Sequence, residues 1–164
     1  MLPVPEASGT GNMKLMLNGA VTLGTMDGAN VEIVQRAGLE NNYIFGGTVE
    51  ENKAARASYN PKQLFDDDWR IRRAVNTLVD GTVDTDNDQR ELFNSLLYGE
   101  SWQRPDNYFL LQDFESYREA RLRAIRDWAD RIAFAKKCLY NVAAAGYFSS
   151  DRAVRQYAEN IWNL

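Results

Sequence analysis

Apolar residues recur along this chain at two spacings, and the change from one to the other divides it. Near the start, Met13, Met16, Leu17 and Ala20 fall on one face at helical spacing behind Thr10, a residue type that caps helix N-termini. Asn18-Gly19 predicts an early end to that helix. "VTLGT" (21–25) and "NYIFG" (42–46) are short apolar runs rich in β-branched or aromatic side chains, the pattern of buried strands. Between them "DGANVEIVQRAG" opens with Asp27 as a cap, repeats apolar residues at Val31, Val34 and Ala37, and stops at Gly38. Strand, helix and strand in that order form a crossover unit, which makes a parallel pair with a right-handed connection. The expected fold class is α/β, doubly wound around a parallel sheet.

After Gly46-Gly47 the helical period takes over. Trp69, Ala74, Leu78 and Val79 predict one helix ending at Gly81, and Leu92, Phe93, Leu96 and Leu97 another ending near Gly99. From 114 to 145 there is neither Gly nor Pro, and Leu122, Ile125, Ala129, Ile132, Leu139 and Ala143 keep an apolar stripe broken only at Lys136. Unbroken, that helix would run ~45–50 Å at ~1.5 Å per residue. It would overhang so small a core and need another surface to lie on. The last helix is well specified: Ser149 or Ser150 caps it, Asp151 complements its dipole, and Val154, Tyr157, Ala158 and Ile161 form its buried face. No internal repeat is visible.

Composition narrows the class. With 164 residues, 45% of them hydrophobic, the chain suits one domain or part of one. No apolar run approaches the ~18 residues of a membrane span, so a soluble protein is expected. A formal charge of −4 argues against nucleic acid as the main partner, because such binding needs clustered Lys and Arg. The single cysteine, Cys138, forms no intrachain disulfide, and "MLPVPEASG" has neither the basic nor the apolar part of a signal peptide. Both point to the cytoplasm. The absence of histidine excludes an internal Ser-His or Cys-His couple and the commonest zinc ligand sets.

The candidate chemistry lies in "EASGTGNMKLMLNGA" (6–20), where a Gly-rich turn feeds a helix that carries Lys14 in its early turns. A nucleoside-triphosphate loop needs Gly-Lys-[Ser/Thr], but Lys14 follows Met13 and precedes Leu15. A dinucleotide fingerprint needs a third glycine and a preceding strand, and "GTGNMK" supplies neither cleanly. The remaining ligand reading is pyridoxal 5'-phosphate: a lysine amine condenses with the aldehyde while the amides of Gly9, Thr10 and Gly11 hold the phosphate. A Schiff base needs the amine deprotonated, which partial burial beside Met13 and Leu17 would favour. On spacing alone, a capped turn with a solvated lysine is the plainer alternative.

Other clusters are weaker. Asp84, Asp86 and Asp88 imitate the start of a calcium loop, yet Gln89 stands where the turn glycine belongs and Ser95 where the bidentate Glu belongs. Asp66, Asp67 and Asp68 read as helix N-terminal charge, Cys138 as a core residue, and Tyr157 with Trp162 as packing.

"EASGTGNMKLMLNGAVTLGTMDGANVEI" closely resembles the cofactor segment of the α-glucan phosphorylases, the glycogen, starch and maltodextrin enzymes. "NYIFG" follows where that family has its next strand, and "GYFSSDRAVRQYAENIWNL" resembles the family's C-terminal end, with a looser match from 50 to 104. The resemblance implies that Lys14 holds pyridoxal 5'-phosphate as a Schiff base, that Thr10 and Gly11, with Gly9 beside them, bind its phosphate, and that Glu6, Ser8 and Gly9 bind the terminal glucosyl unit. Lys14 and Glu6 are then the catalytic candidates. It further implies phosphorolysis of α-1,4-glucan by inorganic phosphate to glucose 1-phosphate, with the cofactor phosphate as the acid–base partner.

By the same resemblance the chain is a truncated C-terminal phosphorylase domain over 1–164, part of a two-domain glycosyltransferase fold of Rossmann-like type. It would be mostly helical with a small parallel sheet, comprising a cofactor-binding α/β segment (1–47) and a helical segment (48–164). Departures are local. "MLPVP" precedes Glu6, and Pro3 and Pro5 cannot donate to a central sheet. Phe134 stands where the family commonly has Trp, and the stretch from 127 to 132 is longer, with no helix break expected. Two functions follow as expectations: a phosphorylase portion inactive without its N-terminal domain, or a non-catalytic remnant serving as an interaction module. A sheet with only two clear strands also leaves apolar edges and faces uncovered, which predicts self-association.

Overall fold

A computed structural model describes residues 9–83 and 89–164. In chain order the elements are α1 (Thr10–Leu17), β1 (Leu23–Thr25), α2 (Gly28–Ala37), β2 (Tyr43–Phe45), α3 (Val49–Ala55), α4 (Pro61–Asp67), α5 (Trp69–Asn76), α6 (Arg90–Leu97), α7 (Phe114–Ala129), α8 (Arg131–Ala145) and α9 (Ser150–Tyr157). A π-helical turn, Ala158–Trp162, follows α9. The described chain is mostly helical with a small parallel sheet. It forms two compact units, one made of residues up to Phe45 with Arg118–Leu164, the other of Gly46–Tyr117, the division falling inside α7.

In the first unit the expected crossover is present. β1 and β2 pair in parallel with Leu23 opposite Tyr43, Gly24 opposite Ile44 and Thr25 opposite Phe45, and α2 connects them. Asp27 and Gly38 bound α2 as the sequence predicts, but the Asp27 carboxylate accepts from Thr25 Oγ1 at 2.9 Å and makes no helix cap bond. The strands are three residues each, and only Tyr43 of the six is buried, so the expectation of two buried strands is corrected. The core lies beside the sheet: Met16 of α1, Ile33 and Ala37 of α2 and Ala145 of α8 are all buried, with Ala144 and Phe148 packed against them. Burying a side chain such as Ile33 contributes roughly 1.5–3 kcal/mol.

Buried asparagines stitch this unit where backbone would otherwise lack partners. Asn42 accepts from the Thr22 amide at 3.2 Å and donates to Gly38 O at 3.0 Å. Asn141 of α8, fully buried, donates to Asn41 O at 2.9 Å and to Lys137 O at 3.0 Å.

The long unbroken helix is not observed. Asp130 adopts extended geometry (φ −89°, ψ 91°) between α7 and α8, and its carboxylate accepts from the Ala133 amide at 3.0 Å, capping α8. Trp128 and Phe134 meet edge to face across the break at 4.9 Å, and the Arg131 guanidinium lies 3.7 Å from the Trp128 ring centroid. The predicted stripe is corrected with it: Ile125, Ile132 and Leu139 are exposed, and α8 buries Asn141 and Ala145. Ser149 caps α9 as predicted, accepting from the Arg152 amide at 3.3 Å, yet Val154, Tyr157 and Ile161 are exposed.

The second unit is a small helical cluster. Phe65 of α4, Ile71 and Val75 of α5, Leu97 of α6 and Leu111 form its core, with Leu64, Phe93 and Phe114 against them. The face predicted for α5 is corrected, since Trp69 and Ala74 are exposed. Thr48 and Glu51 close a capping box on α3, and Asn60 with Pro61 opens α4. Asp68 caps α5, and its bonds from the Arg70 side chain and amide hold its carboxyl down at about 2. Asp66 instead pairs with Lys62 on α4 at 2.5 Å. Asp106, buried at φ 39°, accepts from the Leu110 and Leu111 amides at 2.9 and 2.8 Å and from the Tyr59 hydroxyl at 2.5 Å.

Candidate functional site

Gly9, Thr10, Gly11 and Lys14 come together at the start of α1. Gly9 is the N-cap in left-handed backbone (φ 59°, ψ 0°), a conformation that glycine adopts without steric cost, and its carbonyl accepts from the Met13 amide at 3.3 Å. Thr10, the expected cap, is therefore the first helical residue. Gly9 as N-cap has no side chain to cap with, and no acidic residue lies in the first turn of α1. A Cβ built on Gly11 meets nothing within 4 Å, so the space beside that turn is open. Helix geometry leaves amides at such an end without intrahelical acceptors and gives it partial positive charge.

Lys14 is exposed, as are Leu15 and Leu17 on either side of buried Met16. The burial expected for Lys14 beside Met13 and Leu17 is thus absent among the described residues, where α1 gives its one buried position to Met16. Glu6 and Ser8 lie outside the described residues, as do Asp84, Asp86 and Asp88. Among the described residues no group of three or more His, Cys, Asp or Glu is arranged to hold a metal ion.

Two residues not anticipated from the sequence tie this helix start to the sheet. Asn12 Nδ2 donates to Asn30 Oδ1 at 2.9 Å, and Asn30 Nδ2 donates to Thr25 O, the last carbonyl of β1, at 3.0 Å. Asn30 is 6% exposed, three residues into α2, a polar side chain where helical spacing calls for an apolar one. Its reach requires Gly24, because a Cβ there would lie 2.7 Å from Asn30 Nδ2. The starts of α1 and α2 therefore meet at the carboxyl end of β1, the edge where open parallel sheets bind their ligands. The legible signal was an asparagine inside an otherwise apolar helix face.

Comparisons with known proteins place the sequence in a family. The profile of the carbohydrate phosphorylase family matches residues 2–164. The chain is 41% identical over 162 residues to a glycogen phosphorylase of Bacillus subtilis (strain 168), covering 97% of this chain and 20% of that protein. It is 42% identical over 167 residues to a maltodextrin phosphorylase of Streptococcus pneumoniae serotype 4, covering 97% and 21%. Against the brain form of glycogen phosphorylase from Homo sapiens it is 38% identical over 162 residues, covering 97% and 18%. The chain spans about a fifth of the length of the curated relatives it matches. With a profile that runs along almost all of its residues and relatives 38% to 42% identical over 97% of it, the chain belongs to the carbohydrate phosphorylase family.

Proposed function

We propose that this chain carries the cofactor-lysine segment of an α-glucan phosphorylase, an enzyme that cleaves α-1,4-glucan with inorganic phosphate to give glucose 1-phosphate. The observation that carries the reading is the start of α1: a left-handed Gly9, an open first turn at Gly11, and Lys14 one turn on. These residues fit pyridoxal 5'-phosphate, since a helix N-terminus opened by glycine suits a phosphate ester and the lysine amine suits an aldehyde. Lys14 would hold the cofactor covalently, and Thr10 and Gly11, with Gly9 beside them, would hold its phosphate. When bound, the group supplies a phosphate that serves as acid–base partner to the attacking inorganic phosphate. Glu6, Ser8 and Gly9 would accept and donate hydrogen bonds at the hydroxyls of the terminal glucosyl unit, orienting it over the turn.

The share of the relatives covered, about a fifth, and the absence of histidine support a division of labour. The groups that bind inorganic phosphate and the rest of the glucan would come from an N-terminal phosphorylase portion outside these 164 residues, and this chain alone would turn over no glucan. The parallel pair with its crossover helix supports a Rossmann-like, doubly wound C-terminal domain of a two-domain glycosyltransferase, in which 1–47 form the cofactor segment and 48–164 the helical one. One cysteine suits a cytoplasmic enzyme, and among the described residues no helix is long and apolar enough to cross a membrane. The exposure of Lys14 favours a second reading, a non-catalytic remnant that acts as a folded interaction module.

Incubation with pyridoxal 5'-phosphate, borohydride reduction and peptide mass mapping separates the two. Stoichiometric labelling confined to Lys14 supports the phosphorylase segment. Labelling scattered over Lys14, Lys53, Lys62, Lys136 and Lys137 sinks it in favour of the remnant.

A further inference from the structure

We infer that Asn12 and Asn30 are positioning residues for the cofactor segment, a clasp that fixes the Gly9–Gly11 turn and Lys14 against the carboxyl end of β1; the inference rests on the assignment of Lys14 above. Three observations converge on it. The Asn12–Asn30 bond at 2.9 Å joins α1 to α2 across 18 residues of sequence, and the Asn30–Thr25 bond at 3.0 Å joins the same side chain to β1. Asn30 is buried, so its amide group uses both its oxygen and its nitrogen within the protein at a position where an unpaired one would cost stability. Gly24 is held to a hydrogen side chain by that amide, so one residue of the strand is committed to the clasp as well.

The clasp has a functional direction. Asn12 lies between Gly11 and Lys14 in α1, so a bond at its side chain sets the pitch and rotation of the turn on which both stand. The only described side chain of α1 that is buried is Met16, on the opposite end of the helix from Gly9. That places the one buried apolar anchor of this eight-residue helix away from the turn. Asn12 supplies the second point. Displacements of about 1 Å in a site that depends on orientation cost on the order of a hundredfold in rate, which gives such a clasp its value.

The test uses the 164-residue chain with three forms: wild type, Asn12→Ala, and Val34→Ala, a core substitution in α2 that leaves the clasp intact. Pyridoxal 5'-phosphate with borohydride reads the ratio of labelling at Lys14 to that at exposed Lys53 and Lys136, and hydrogen exchange reads the Thr10–Leu17 amides without any cofactor. Asn12→Ala should lower the Lys14 ratio at least fivefold and speed α1 exchange about tenfold, while Val34→Ala, destabilised comparably or more, keeps the ratio. An unchanged ratio in Asn12→Ala, or an equal loss in Val34→Ala, overturns the inference. If wild type itself shows no preference for Lys14, the phosphorylase assignment of that lysine fails, and exchange alone decides the clasp: faster α1 exchange confined to Asn12→Ala upholds it, and unchanged exchange removes it.

Discussion

The hydroxyl of Tyr43 donates to Asp127 Oδ2 at 2.8 Å, fastening the one buried strand residue of the sheet to α7. Lys137 of α8 stands 3.7 Å from the same oxygen, and Arg123 donates to Ile44 O at 3.3 Å, so α7 holds β2 at two points and α8 braces the first of them. Burial first, then the bond to Asp127 and its charge, push the Tyr43 hydroxyl well above the ordinary tyrosine range. The folded state therefore keeps its proton where the unfolded chain releases it, above about pH 10. Stability from this contact is complete below that pH and declines as pH rises through and beyond it. Tyr43→Phe should cost about 1–2 kcal/mol near neutrality and flatten part of the alkaline decline, read by urea unfolding at pH 7 and pH 10.5. An equally steep decline in the variant would remove Tyr43 from the account.

Asp130 makes the break between α7 and α8 a capped helix start. Asp130→Ala removes the acceptor of the Ala133 amide and should lower stability by about 1 kcal/mol, seen as a lower midpoint in thermal unfolding. Asp130→Ser, which restores a capping oxygen, should recover most of it. A neutral Asp130→Ala would mean that the Trp128–Phe134 contact, not the cap, fixes the break.

That break also marks where the sequence stopped being legible. The crossover unit was readable because its punctuation is local: Asp27 and Gly38 bound α2, and β-branched and aromatic runs flank it. The break between α7 and α8 carries no glycine or proline, only an aspartate whose capping role depends on a backbone turn that periodicity does not detect. The stripes of α8 and α9 failed for a different reason. A helical period reveals that a face is apolar and says nothing of what covers it, so Ile132, Leu139, Val154 and Ile161 looked buried and are exposed. At the candidate site the Gly-Thr-Gly turn and Lys14 were found by their order in the chain. Asn30 was not, because its bonds run to one residue 18 positions away and to a strand carbonyl.

In the second unit the loop before α7 depends on one carboxylate. Asp106 receives two backbone amides and the Tyr59 hydroxyl, and burial followed by that bond raises the Tyr59 hydroxyl above its usual range. Tyr59 also packs on Phe109 at 4.8 Å, which itself sits at φ 61°. Asp106→Ala leaves three donors without their acceptor and should destabilise this unit by about 3 kcal/mol. Hydrogen exchange should localise the loss to the Leu110 and Leu111 amides and the helices they adjoin. Protection of those amides unchanged in the variant would show the loop to be held by its aromatic packing alone.

Val154, Tyr157, Ile161 and Trp162 lie along α9 and the π-turn after it, each more than half exposed. The same element carries Arg152, Arg155 and Glu159 on its remaining positions, so the helix is amphipathic with its apolar side in water. Fully burying one residue of the size of Ile161 is worth roughly 1.5–3 kcal/mol, or at least tenfold in an association constant. The chain should therefore self-associate at micromolar concentration, with a weight-average mass in light scattering that climbs on concentration. Ile161→Asp should shift that climb at least tenfold upward in concentration while leaving the far-ultraviolet dichroism unchanged, because Ile161 is 60% exposed and lies outside the buried cluster of the first unit. A wild-type chain that stays monomeric throughout the range would reject self-association through this face, and an Ile161→Asp chain that associates as wild type does would move the contact elsewhere.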